Sequence, residues 1–119
     1  MQKIYKKSYT LFFMINLEFQ QRSAIKVLED IGVKKEILSK IKPEEAYRVF
    51  IFIREKSGLT PRERTFLDLK YGFSDGIMHT KNEILSVMSE FNYRQIRHIN
   101  KKSREKLVRG LDYLRNYQY

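Results

Sequence analysis

The chain has no cysteine in its 119 residues. That excludes a disulfide framework, a thiolate metal site and a thiol nucleophile, and it fits a reducing, cytoplasmic setting. Histidine is nearly absent too. His79 and His98 are the only two, with no ligand spacing between them, so no zinc site is expected. Glycine-rich phosphate loops, nucleophile elbows and paired catalytic carboxylates are missing, and the scattered Asp and Glu stand where caps and surface faces explain them. The expectation is a protein that is not an enzyme and needs no cofactor. Long apolar runs are also lacking. The run from Thr10 to Ile15, preceded by Lys3, Lys6 and Lys7, faintly resembles a secretion signal. It is short, is broken by Asn16 and is followed by no small-residue cleavage site. Nothing reaches membrane-spanning length, so no membrane partner is expected.

Acidic residues are outnumbered, 14 against 24 lysines and arginines, for a net charge of +10. Such a balance favours a polyanionic partner, nucleic acid first and an acidic membrane surface second. A hydrophobic fraction of 42%, with eight Phe and eight Tyr, supplies a real core. Wholesale disorder is therefore not expected, and the length suits one domain or one domain with an appendage.

Along the chain, Tyr9 to Phe19 is apolar and aromatic, compatible with a short strand, a helix start or a docked segment. Met14 is a possible alternative start. From Ser23 the spacing turns helical, with Ala24, Leu28 and Ile31 in phase, Ile25 and Val27 beside them, and Gly32 as a stop. A shorter piece carries Ile37, Leu38 and Ile41. Pro43, Glu44 and Glu45 open the next helix, which should run to about Lys56 and stop at Ser57-Gly58. Its centre, VFIFI, has strand-like composition, but its length and polar flanks predict a buried helix. These pieces are too few for a core of their own and should pack on the second half.

The stretch from Leu59 to Leu107 is more strongly marked. Thr60-Pro61-Arg62-Glu63 is a capping box with proline at the first helical position. The helix it opens should bury Phe66, Leu67 and Tyr71 and end at Gly72. After the loop FSDGIMH, Thr80 and Glu83 form a second box. Ile84, Val87 and Met88 are expected inward on the helix from Lys81 to Ser89. Phe91 fills the turn and Asn92 caps a last helix, whose core stripe is Ile96, Ile99, Ser103, Leu107, Leu111 and Leu114. Its other faces carry Arg94, Arg97, Lys101, Lys102, Arg104 and Lys106. Arginine pairs bidentately with guanine O6 and N7, whereas lysine tracks phosphate as a point charge. The fold class expected is all-α, a helical domain with a C-terminal helix-turn-helix, divided into an N-terminal helical extension (1–57) and the helix-turn-helix unit (58–119).

LTPRER, LDLKYGF, the SDG loop, HTKNEI and RQIRHINKKSREKL fall in the order found in region four of housekeeping-type bacterial sigma factors. The second half of the chain resembles that region. LuxR-type regulators also open with LTPRE, but lack the YGF-SDG-HT loop and the long basic helix. The resemblance implies a sigma-region-4-like helix-turn-helix that binds double-stranded DNA and docks on the flap of the RNA polymerase β subunit. By the same resemblance Tyr93, Arg94, Arg97 and His98 occupy the base-reading positions, and Arg62, Lys70, Thr80 and Lys102 the phosphate-contacting ones. Lys101 joins the latter as a neighbouring cation. In the family the base readers are an Arg, a Glu, an Arg and a Gln, so only Arg97 is retained and the family's base preference does not carry over. The turn SEFN is one residue longer than the usual one and lacks its glycine. Residues before Leu59 cannot hold region two, so the resemblance is to a free-standing region-four module. Tyr93 can meet a thymine methyl or a phosphate, or pack on the turn. His98 can contact a base or phosphate, or simply be exposed. The rival expectation is a polymerase-binding mimic of region four, of anti-sigma or appropriator type, that does not itself read DNA.

Overall fold

The computed structural model describes residues 17–117, and these form an all-α protein of six helices. α1 covers residues 17–30. It is followed by α2 (Lys35–Lys40), α3 (Pro43–Lys56), α4 (Pro61–Tyr71), α5 (Lys81–Val87) and α6 (Tyr93–Tyr117). The run from Thr10 to Ile15, with Met14, lies outside the described residues. None of the helices described is long and apolar enough to cross a membrane.

α4, α5 and α6 begin where side chains satisfy their free N–H groups, whereas α2 and α3 have no side-chain cap. Thr60 Oγ1 accepts from the Glu63 amide at 3.3 Å while Glu63 Oε1 accepts from the Thr60 amide at 2.8 Å. Thr80 and Glu83 repeat the arrangement at the start of α5. Asn92 and Gln95 form a third reciprocal pair, at 2.9 and 2.8 Å, in front of α6. At its other end α4 stops on Gly72, whose φ of 81° is a left-handed conformation suited to glycine. A Cβ there would also meet the Ile77 backbone at 3.1 Å.

One core joins both halves of the sequence. Ala24, Val27 and Leu28 of α1 and Ala46, Phe50 and Ile53 of α3 are buried with Phe66 and Leu67 of α4 and Ile84 of α5. The α6 stripe of Ile96, Ile99, Leu107 and Leu111 completes the same cluster. The helical extension is thus packed against the α4–α6 unit, chiefly through α3 and α6. Phe50 stacks on Phe73 with centroids 4.7 Å apart, tying α3 to the loop after α4. Gly110 marks the close crossing of α6 over the end of α3: a Cβ there would lie 2.7 Å from the Ile53 carbonyl oxygen. VFIFI is helical because only a helix places Phe50 and Ile53 together on this face.

Three local expectations are corrected. α1 is already helical at residue 17, upstream of Ser23, and Ser23 is buried, donating to the Tyr71 carbonyl at 2.6 Å. α5 closes at Val87 rather than Ser89. Val87 itself points outward at 58% exposure, because Ile84 and Met88 occupy the one narrow stripe that a helix of this length offers the core.

Candidate nucleic-acid interface

The first turns of α6 divide into an inner and an outer surface. Ile96, Ile99 and Ser103 turn inward and are buried. Tyr93, Arg94, Arg97, His98, Lys101 and Lys102 all face solvent, as a helix of 3.6 residues per turn requires once the stripe is fixed. Among the described residues, Arg94, Arg97 and Lys101 take part in no ion pair. Lys102 approaches Glu105 only at 3.7 Å, a loose solvent-exposed pair.

Two grooves flank this surface. On one side Arg94 and His98 line a groove with Arg62, whose guanidinium lies 5.4 Å from the centroid of the Phe91 ring. That groove continues past His98 and Arg62 to Lys102. Phe91 therefore does more than fill the turn: it carries Arg62 of α4 to the flank of α6. On the other side Tyr93 and Arg97 line a crevice together with Lys81 and Asn100, over Phe66 and Ile96. The residues expected to read bases and most of those expected to meet phosphate are thus brought around one end of one helix.

Two expected phosphate contacts are differently placed. Lys70 is half-buried and donates to Asn100 Oδ1 at 3.1 Å, with its ammonium 5.2 Å from the Tyr71 ring centroid. Burial lowers its pKa, Asp30 opposes that, and the nearby Arg104 and Lys81 add to the lowering. A bound anion would relieve this repulsion. Thr80 has its hydroxyl and amide committed to Glu83 within the α5 cap.

The rear cations of α6 differ from expectation. Lys106 turns inward, its side chain 20% exposed, and donates to Glu63 Oε1 at 2.6 Å and to the Gly58 carbonyl at 3.5 Å. Glu63 is buried. Burial disfavours its charge, yet the hydrogen bonds from Lys106 and Thr60 outweigh this and hold its carboxyl below the ordinary value. One glutamate therefore caps α4 and anchors α6. Arg104 donates from Nη2 to the Asp30 carbonyl at 3.2 Å, and the Tyr71 hydroxyl donates to Asp30 Oδ2 at 2.8 Å, so α1 is clamped to α4 and α6 together.

His79, unremarkable in sequence, bridges the loop after α4 to α5. Its Nε2 lies 2.7 Å from Asp75 Oδ2 and its Nδ1 lies 3.3 Å from Glu83 Oε2. The Asp75 contact leads in raising its pKa, and Glu83 adds to it. Sequence reasoning also passed over Asn100 and Lys81. Asn100 was legible as a polar residue one turn beyond Ile96, on the edge of the core stripe. Lys81 was hidden by its apparent role as an ordinary first helical residue.

No group of His, Cys, Asp or Glu among the described residues is arranged to hold a metal ion. Comparison of the chain with protein-family models, with curated proteins and with solved structures returns no match.

Proposed function

We propose that the protein is a DNA-binding transcription regulator whose α5–turn–α6 unit acts as a helix-turn-helix of the kind found in sigma region four. The observation that carries the reading is the outer surface of the first turns of α6, where Arg94, Arg97 and Lys101 are exposed without acidic partners among the described residues. A major groove about 12 Å wide admits a helix. With its side chains a helix is about 10–12 Å across, which matches that width. In this reading Tyr93, Arg94, Arg97 and His98 meet base edges, while Arg62, Lys70, Lys101 and Lys102 meet phosphates and set the register. Thr80 supports the phosphate contacts by fixing the start of α5.

Contact with RNA polymerase belongs to the same proposal, through the resemblance to sigma region four. It is supported by exposed apolar side chains outside α6. Ile77 and Met78 project from the loop after α4, and the Phe19 ring of α1 lies against Gly76 of that loop. These side chains also favour the second reading, a polymerase-binding mimic of region four that does not read DNA.

Selection from a random duplex pool tests the first reading, with the retained sequence then titrated against random duplex at several salt concentrations. A regulator binds its selected site more tightly than random duplex, and both affinities fall with salt. Failure to enrich any sequence would overturn DNA reading. For the polymerase contact, retention on core polymerase or the isolated β flap is measured at raised salt, where nonspecific attraction to a +10 protein is screened. Loss of retention there would overturn that part alone.

A further inference from the structure

The crevice beside Tyr93 lies on the proposed reading surface, yet its floor is apolar. Phe66 and Ile96, both buried, form its base. Tyr93, 52% exposed, forms one wall, and Lys81, Arg97 and Asn100 form the rim. We infer that this crevice seats the 5-methyl group of one thymine in the bound duplex, and that Tyr93 is the specificity-determining wall. The inference rests on the DNA-binding reading and names the base edge that one part of the site selects.

Size narrows the occupant first. The crevice holds about 20 Å³, room for a group the size of a water molecule or a methyl but not for a ring. Polarity narrows it further. A floor of Phe66 and Ile96 offers water few of the partners it needs, whereas a methyl gains apolar burial and dispersion contacts there. Thymine alone brings a methyl to the major groove of B-DNA; the other base edges there present hydrogen-bonding atoms or bare ring C–H. Charge then separates a nucleotide from an apolar protein side chain. The thymine methyl lies on the base edge nearest its own strand, so a phosphate accompanies it. Lys81 stands on the rim to meet that phosphate, with Lys70 held to the rim's Asn100.

The sequence obtained by selection is re-synthesised with deoxyuridine in place of thymidine, one position at a time. This exchange removes the methyl and leaves every hydrogen-bonding atom in place. One position should lose roughly three- to fivefold in affinity, the value of about one buried methyl. In Tyr93→Ala the thymidine and deoxyuridine duplexes should bind equally at that position, while Tyr93→Phe, which keeps the wall, should keep the difference. Tyr93 is exposed at the first turn of α6, and unfolding of each variant at the wild-type temperature checks that only the surface has changed. A specific site that tolerates deoxyuridine at every position would overturn the inference and leave the DNA-binding reading intact. A Tyr93→Ala protein that still discriminates would overturn the role of Tyr93. Failure to select any sequence would overturn both.

Discussion

The two halves of α6 both carry cations and use them differently. In the front half Arg94, Arg97 and Lys101 extend into solvent without acidic partners among the described residues. In the rear half Lys106 is drawn in to Glu63 and Arg104 reaches the end of α1. The front half is flanked by short α5, the turn and basic residues of α4. The rear half lies under α3 and α4, where neighbouring helix ends offer carbonyls and a carboxylate. A count of basic residues therefore overstates the surface available to a polyanion. What matters is where each cation stands relative to the core stripe and to the acceptors that other helices bring.

Removing what holds the rear half in place should produce the largest effect. Phe50→Ala, by cutting away a buried ring stacked on Phe73, should cost about 3–5 kcal/mol of stability. Chemical or thermal unfolding measures it. A variant as stable as the parent would mean that α3 is not part of the core α6 completes.

Next comes the buried pair itself. Lys106→Ala leaves the Glu63 carboxylate buried with only its cap partner and should cost about 2–3 kcal/mol. Lys101→Ala, at an exposed front position, should leave stability unchanged within about 0.5 kcal/mol. Equal losses in the two variants would erase the distinction between the halves. The pair also predicts acid behaviour. Because the folded-state pKa of Glu63 is lowered, its contribution is complete above the ordinary carboxylate value and is lost as pH falls through the lowered one. Glu63→Gln should flatten that part of the stability profile.

Binding should sharpen the contrast within the front half. Arg97→Ala should cost about 1–3 kcal/mol on the selected duplex and much less on random duplex. Lys102→Ala should weaken both by similar factors and lower the salt slope by about one ion. Titrations of both variants on both duplexes decide this. If Arg97→Ala lost equally on the two, the helix would be an electrostatic face and not a reader.

The smallest effect concerns the loop ahead of α5. His79 has a raised pKa in the fold, so its contribution is fully present below the ordinary imidazole value and fades as pH rises through the raised one. The melting temperature should drift down slightly across that window, and His79→Ala should lack the drift. An identical profile in the variant would remove His79 as a brace.

The sequence disclosed most about helix ends. Thr60, Thr80 and Asn92 each pair with a Glu or Gln three residues on, a signal that is local and chemically specific. The stripe from Ile96 to Leu111 was equally legible, since 25 residues of α6 repeat one period several times. Short elements were less so. Seven residues of α5 fit more than one stripe, and Val87 was assigned inward when Ile84 and Met88 already filled the space. The inward turn of Lys106 was hidden because its partner lies 43 residues away in sequence. The same holds for Arg104 and Asp30, 74 residues apart. Such pairings depend on helix packing rather than on any neighbourhood within the chain. For the positions proposed to read bases, the local pattern indicated a surface, and the grooves with Arg62 and Lys81 required the fold.

The packing of α6 against both α3 and α4 also constrains how the protein is made. Helices α1 to α4 supply only one side of the core, so a nascent chain lacks its closing element until α6 has left the ribosome. Until then Phe50, Ile53, Phe66 and Leu67 have no lasting cover, and the growing chain is exposed to chaperones and proteases. The helix proposed to read DNA is also the one whose arrival closes this core.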